Sequence, residues 1–286
     1  MFDPNNLFNS ILIIPILNVL IGIYKLLLIL RIPGALGFSV IALTILIRLA
    51  LNPLTAKQLK STQKLSKLKP ELDKITAIYK HDKQRLHQEQ LNLYKKEGIN
   101  PAAGCLPLLV QMPILIALYN LFFQLLNPGD LTNVIDAINK VVYHPILSIT
   151  RLDLSFLGMN LASKPNQWQQ LGLWLLAIPV ITALLQYWQT KMMTPQIKTQ
   201  EPRTKNQEHE NKNKENGKKG KEEDMATVMQ KQMTFMMPAM IGFFAYSFPV
   251  GLSIYWNTFT VFGIIQQYKI NKSIEKQNES SQNRKD

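Results

Sequence analysis

The apolar residues of this chain are bunched into long runs that alternate with lysine-rich stretches. Runs of about 20 apolar residues are typical of transmembrane helices, whereas a soluble domain distributes its apolar positions periodically. We therefore predict an all-α, polytopic membrane protein. Its five-helix transmembrane core comprises residues 35–54, 101–126, 168–190, 232–248 and 249–268.

An earlier apolar run, residues 11–30, is also long enough to span a bilayer. It contains Pro15, Asn18, Gly22 and Lys25, and a helix lying in the membrane interface is the competing interpretation. We favour an N-terminal interfacial amphipathic helix within residues 1–34, because the charges between the other runs already agree with five spans. The first residues, MFDPNNLFNS, do not resemble a removable signal or a transit peptide.

Lys and Arg are unevenly distributed between the predicted spans. Residues 55–100 contain eleven, 127–167 contain three, 191–231 contain ten and 269–286 contain five. Since basic loops are retained on the inner side of a membrane, this alternation predicts an outer N-terminus and an inner C-terminus. Residues 127–167 then form an outer loop and residues 269–286 a polar inner tail.

Residues 55–100 are predicted to form a basic helical hairpin on the inner side. Apolar residues recur at three- and four-residue spacing in two patterns, first Leu65, Leu68, Leu72, Ile75 and Tyr79, then Leu86, Leu93 and Tyr94. Pro70 should start or kink the first helix, a turn is expected near His81 and Asp82, and Gly98 should end the second helix.

The hairpin is also the candidate partner-docking surface. Its basic candidates are Lys64, Lys67, Lys69, Lys83 and Arg85. A solvated face attracted to lipid headgroups explains such residues as well as specific docking does. The inner loop, residues 191–231, includes a charge-mixed, low-complexity stretch at 196–224 that we expect to be disordered.

Arg48 is a permanent cation inside the run from Gly37 to Leu54. A guanidinium at mid-bilayer costs about 2.5–3.5 kcal/mol on insertion scales, and titration cannot remove its charge. Lys57 lies nine residues further on, about 13 Å along a helix, so the side chain could snorkel part of that distance. The alternative is a polar, hydrated cavity inside the helix bundle.

The other polar side chains in the spans are uncharged. They include Thr44, Gln111, Asn120, Gln186, Trp256, Asn257 and Gln266. Each is individually explained by hydrogen bonding between helices, but together with Arg48 they indicate a wet, positive cavity. No span contains Lys, Asp or Glu and no internal repeat relates the halves, which argues against ion-coupled transporters.

No catalytic or cofactor site is predicted. The single cysteine, Cys105, excludes an internal disulfide, and the four histidines lack the spacing of metal ligands. We therefore expect no enzyme activity, no cofactor and no metal.

Several segments together resemble the YidC–Oxa–Albino family of membrane protein insertases. They are ALTILIRLALNPL, LYKKEGINPAAGCLPLLVQMPILIALY, QYWQTKMM and FPVGLSIYWNTFTVFGIIQQY, together with the basic hairpin. The resemblance extends over residues 7–270 apart from the 196–224 insert. It implies five core spans around a groove that is open to the inner side and to lipid, preceded by an interfacial helix.

The resemblance also implies roles for individual residues. Arg48 matches the groove arginine of the family, and Gln186 and Trp256 fall at positions that line the groove. We complete the candidate client-binding groove with Asn120 and Gln111. The hairpin matches the region implicated in receiving clients and in engaging ribosome, signal recognition particle or Sec translocase. Asn257 directly follows Trp256, which departs from the family pattern, and neither a long basic tail nor a large outer domain is present.

The resemblance therefore predicts an insertase and chaperone for nascent or targeted membrane proteins, without sequence-specific nucleic-acid binding. A small-anion channel or transporter using Arg48 and an assembly scaffold are the alternatives. The Lys-, Asn- and Ile-rich composition favours a plastid thylakoid protein, and a bacterial plasma membrane is the alternative.

Overall fold

The computed structural model describes residues 2–98, 106–126, 131–193 and 225–282, a part of the chain that is almost entirely helical. The predicted all-α class is confirmed. The α-helices are α1 (Ile14–Ile29), α2 (Ala35–Lys67), α3 (Lys69–Ile78), α4 (Lys83–Lys96), α5 (Leu106–Leu125), α6 (Leu131–Val141), α7 (Trp168–Leu171), α8 (Ala177–Met193), α9 (Met225–Ser247) and α10 (Val250–Gln282).

Residues 131–167 are more structured than the predicted outer loop, and we call them the cap. The cap contains α6, a 3-10 turn at Pro145–Leu147 and a small antiparallel hairpin of β1 (Ser155–Phe156) and β2 (Met159–Asn160). Backbone N–H groups of Val250 and Gly251 donate to cap carbonyls at 2.8 and 2.9 Å, so the start of α10 is tied to the cap.

The helices of the bundle have a common cap end and a common opposite end. The start of α2 packs on β1, the start of α10 bonds to the cap, and α9 ends just before it. The hairpin formed by α3 and α4 follows the other end of α2. Between these ends α10 packs against both α2 and α8, and α8 packs against α9.

Helix α1 packs mainly against α2, and its few polar side chains contact the cap. The Asn18 amide donates to the Val141 carbonyl at 3.2 Å and accepts from the Tyr143 N–H at 2.7 Å, which satisfies the end of α6. Lys25 donates to the Ser148 carbonyl at 2.8 Å and to the Ile146 carbonyl. Asn18 and Lys25 are thus explained by the cap backbone that they bind.

The cap is anchored on α2 by an aromatic ring. Phe156 is buried and meets Phe38 edge-on, with ring centroids 5.1 Å apart. Its ring rests directly on Gly37, where an added Cβ would lie 2.7 Å from Phe156 Cε2. The absence of a side chain at Gly37 is therefore what admits the cap to this face of α2.

The hairpin follows the local signals of the sequence. Helix α3 begins at Lys69 with Pro70 in its first turn, and the Asp82 carboxylate accepts from the Arg85 N–H at 3.0 Å to cap α4. Gly98 has a positive φ of 62° just after α4. Leu93 is buried between the two helices, and burial raises the pKa of the neighbouring Tyr94.

Several helix boundaries differ from the predicted ones. Helix α2 continues without interruption to Lys67 and α10 continues to Gln282, past the predicted ends at residues 54 and 268. Neither extension contains Gly or Pro, so nothing in the sequence breaks the helix where the apolar run stops. Gly172, with a φ of 112°, interrupts the predicted span, and a 3-10 helix at Leu173–Leu176 then leads into α8 at Ala177.

Three stretches of the described chain are long and apolar enough to cross a membrane: Asn9–Ile29, Ala35–Ala56 and Leu173–Met193. Shorter apolar helices lie at Gln111–Leu125 and Thr234–Ser247. The segment 196–224, for which we expected disorder, lies outside the described residues, as does the INPAAGC string with Cys105.

Candidate functional site

Arg48 is buried in the bundle, with 6% of its surface exposed. Its Nη2 donates to the backbone carbonyl of Phe259 on α10 at 2.6 Å. The guanidinium carbon lies 3.4 Å from the centroid of the Phe259 ring. The charge is therefore held by a carbonyl dipole and an aromatic face, and the side chain turns into α10 instead of toward solvent.

The guanidinium is incompletely satisfied. Its Nε is buried and has no hydrogen-bond partner within the described chain. The five predicted spans contain no Asp or Glu that could neutralise it. An unpaired buried donor costs about 1–3 kcal/mol, and more when it is charged. Any acceptor oxygen that reached Arg48 would therefore be bound favourably.

Gly263 leaves room for the arginine. A Cβ at this position would lie 2.9 Å from Arg48 Nη2 and would overlap the side chain of Gln189 on α8. The Arg48 guanidinium and the Gln189 amide thus meet over a bare stretch of α10, where α2, α8 and α10 converge.

Two further candidates are joined across the same helix. The Trp256 Nε1–H donates to Gln186 Oε1 at 3.2 Å, which links α10 to α8. Gln186 is buried, and its Nε2 lies 3.5 Å from the Thr190 hydroxyl. Trp256 is one helical turn from Phe259, so Gln186 and Arg48 bind adjacent turns of α10.

The remaining groove candidates are less closely connected. Gln111 on α5 donates to the Tyr255 hydroxyl at 3.1 Å, next to Trp256. Asn120 is half-buried and lies nine residues, about 13 Å, further along α5. Gln111, Gln186 and Arg48 therefore all bind residues of α10, the helix that carries Trp256. Asn120 lies apart from Gln111.

One face of α10 has buried polar atoms without partners. Within the described residues these atoms include Ser253 Oγ, Asn257 Oδ1, Thr260 Oγ1 and Gln267 Oε1. Spacings of four, three and seven residues place the four side chains on one side of the helix. Because buried polar groups are normally hydrogen-bonded, this stripe indicates water or a bound polar chain. Of these four, the sequence pattern pointed to Asn257 as one of the polar residues in the spans, and it did not point to the other three.

Gln266 joins α10 to α2 on both sides of a proline. Its Nε2 donates to Asn52 Oδ1 at 2.6 Å and to Thr55 Oγ1 at 2.7 Å. Pro53 lies between these acceptors and removes one backbone hydrogen bond from α2. The Gln266 amide therefore splints α2 across its proline.

Replacing Gln266 with Leu is expected to weaken this splint. Losing two part-buried hydrogen bonds should cost about 1–3 kcal/mol and lower the thermal unfolding midpoint in detergent. In a Cys105→Ser background, spin labels at Lys64→Cys and Val261→Cys should show a broader distance distribution. The control is Gln267→Leu, since Gln267 bonds within α10 to Asn271 at 2.8 Å. Equal broadening in both variants would contradict the splint.

The hairpin candidates point away from this site. Lys64, Lys83 and Arg85 are exposed, and Arg85 Nε lies 3.7 Å from the Asp82 carboxylate. The side chains of Lys67 and Lys69 are outside the described part of the chain. In the described ranges no group of three His, Cys, Asp or Glu could hold a metal ion.

The partners that sequence reasoning missed are mainly backbone atoms and glycine. Every residue has a backbone carbonyl, so the sequence does not single out that of Phe259 as a partner of Arg48. The need for glycine at position 263 depends on side chains that come from other helices. The aromatic spacing of Phe259 and Phe262 was the available hint, since the Phe262 ring centroid also lies 5.9 Å from the guanidinium.

Comparison with known proteins agrees with these features. The family model of the 60Kd inner membrane protein matches residues 28–278. The membrane protein insertase YidC of Rickettsia conorii is 32% identical over 243 residues, which is 84% of this chain and 36% of that protein. YidC of Rickettsia prowazekii is 30% identical over the same length. The chain thus spans about a third of the length of these relatives.

The family match covers the arginine-bearing helix, the hairpin and the paired helices α9 and α10. It confirms the predicted resemblance and the multi-pass membrane class. The chain belongs to the family of the 60Kd inner membrane protein, that of the YidC membrane protein insertases.

Proposed function

We propose that this chain is a membrane protein insertase that works without nucleotide. The observation that carries the proposal is the buried Arg48, whose Nε is unpaired and which binds α10, a helix with a stripe of further unpaired oxygens. A polar segment of a client protein has carbonyl and side-chain oxygens for the arginine and N–H groups for the stripe. Arg48, Gln186, Trp256 and Gln111 would then form the client-binding groove.

The driving force for insertion is the client's own apolar segment. Each Leu, Ile, Phe or Val contributes about 0.3–0.6 kcal/mol at the centre of a bilayer, so 20 of them contribute about 6–12 kcal/mol. The obstacle is the polar segment that must cross with it. A site that hydrogen-bonds this segment inside the membrane lowers the barrier without supplying energy from another reaction.

We propose that the hairpin end faces the inner side and the cap faces the outer side. The Lys- and Arg-rich segments that follow α2 and α8, and the tail of α10, all leave from the hairpin end. The cap has three such residues, so the positive-inside rule supports this orientation. It also supports delivery of clients from ribosome, targeting particle or translocase near Lys64, Lys83 and Arg85.

We further propose that α1 lies against the outer surface instead of crossing the membrane. Asn18 and Lys25 bind cap carbonyls over seven residues, about 10 Å of the helix. A crossing helix would meet the cap mainly at one end. The hydropathy of Asn9–Ile29 permits either arrangement, and the cap contacts favour the interfacial one.

The proposed compartment is a bacterial-type inner membrane, because the relatives named above are Rickettsia proteins. The plastid thylakoid suggested by composition is the alternative.

The purified chain in liposomes tests the function directly. A single-span client released from its ribosome should become protease-protected several-fold more with the protein than without it. Without client, the same liposomes should show no additional chloride flux. Anion flux without insertion would support a channel at Arg48, and unaided insertion followed by failed assembly would support a scaffold.

A further inference from the structure

A cleft opens between α8 and α10 near the hairpin end of the bundle. Its volume is about 770 Å³, and its walls include Trp188 and Met192 from α8 with Ile264, Ile265 and Tyr268 from α10. This α8–α10 cleft is separate from the arginine site, because Trp188 is 61% exposed and Ile265 50% exposed, whereas Arg48 is buried.

The cleft changes from apolar to cationic along α10. Lys269 and Lys272 line it just beyond Tyr268, and both lysines are exposed. A spacing of three residues places them on one face of the helix. The described lining residues include no Asp or Glu. The mouth of the cleft is therefore positive, and its wall is hydrocarbon and aromatic.

The level of these residues matches a membrane interface. The apolar run of α10 ends at Tyr268, and the lysines follow immediately. Tryptophan and tyrosine concentrate where hydrocarbon meets headgroups, and basic clusters at that depth attract anionic lipid. One molecule with an apolar chain and an adjacent phosphate fits both parts of the cleft.

We propose that the α8–α10 cleft is a binding site for an anionic phospholipid. The acyl chain lies against Trp188, Ile264 and Ile265, and the phosphate lies between Lys269 and Lys272. This proposal does not rest on the proposed insertase activity, since no observation about Arg48 or Gln186 enters it.

Fluorescence quenching in nanodiscs tests the site. The full chain is placed in phosphatidylcholine nanodiscs with a small fraction of either brominated phosphatidylglycerol or brominated phosphatidylcholine. The quenching of Trp188 is obtained as the part of the fluorescence signal that disappears in the Trp188→Phe variant. It should favour phosphatidylglycerol, and each of Lys269→Gln and Lys272→Gln should lower the relative affinity about fivefold. Added salt should lower the preference for phosphatidylglycerol in the unmodified protein. This measurement does not depend on the folding of any variant.

The matched control is Lys95→Gln, which removes one charge from an exposed position of the hairpin outside the docking candidates and should keep the preference. Three results would overturn the proposal. Equal quenching by both lipids would make the cleft a non-selective apolar surface. Equal loss in the hairpin control would make the preference a general surface effect. Protection of Trp188 from both lipids would mean that protein, such as a second copy of the chain, covers the cleft.

Discussion

Replacing Arg48 with Ala is expected to abolish most insertion while leaving the fold intact. The variant loses the cation that we propose binds polar client atoms, and we expect at least a tenfold lower rate of insertion for a single-span client. It also loses a burial cost of about 2.5–3.5 kcal/mol, which offsets the lost bond to Phe259. Thermal unfolding should therefore shift little or upward, so reduced activity would not reflect unfolding.

Arg48→Lys should give an intermediate rate. It retains the charge but not the planar guanidinium that stacks on Phe259 and bonds its carbonyl. The control is Arg151→Ala, an exposed arginine of the cap, which should insert client normally. Full activity of Arg48→Ala in the liposome assay would remove the buried charge from the proposed mechanism.

Gly37→Ala is expected to detach the cap from α2. The new methyl group would overlap the ring of the buried Phe156, and such overpacking costs about 1–3 kcal/mol. For a chain of this size the melting temperature should fall by about 2–8 °C, as measured in detergent micelles. Proteolysis near the β1–β2 hairpin should become faster in the same variant.

Gly22→Ala provides the comparison within the neighbouring helix. A Cβ at Gly22 has its nearest neighbour, Leu147 Cδ2, at 3.8 Å, so this variant should be as stable as the unmodified chain or more so. Adding Phe156→Leu to Gly37→Ala should restore part of the loss, because the two changes act at one contact. A stable Gly37→Ala protein would show that Phe156 has another place to pack.

Local signals predicted those features that depend on neighbours in sequence. Pro70 and Gly98 marked the start of α3 and the end of α4, because proline and glycine act within a few residues. A turn was expected near Asp82, but its role as the N-cap of α4 was not. The charge of Arg48 identified the candidate site, since no apolar environment accepts an isolated cation without compensation. The family resemblance predicted that Gln186 and Trp256, 70 residues apart, line one groove, but it did not predict the hydrogen bond between them.

Features that depend on tertiary packing could not be predicted in this way. Asn18 and Lys25 interrupted an apolar run without indicating that backbone carbonyls of the cap would meet them. The carbonyl of Phe259 and the bare surface at Gly263 became recognisable only when α2 and α10 were packed together. Helix length was also underestimated, because hydropathy reports where a helix leaves lipid and not where it stops.

The position of Pro53 within α2 is important because α2 is long and carries the hairpin at one end. At 33 residues, α2 is about 50 Å long, and the hairpin is attached to its far end. Pro53 divides this helix just beyond Arg48. We expect the hydrogen bonds of the Gln266 amide to determine whether the two parts of α2 move as one rigid unit or bend relative to each other. With both Gln266 hydrogen bonds formed, a displacement of the hairpin is expected to be transmitted along α2 to Arg48. With both bonds broken, the same displacement is expected to be taken up by bending at Pro53.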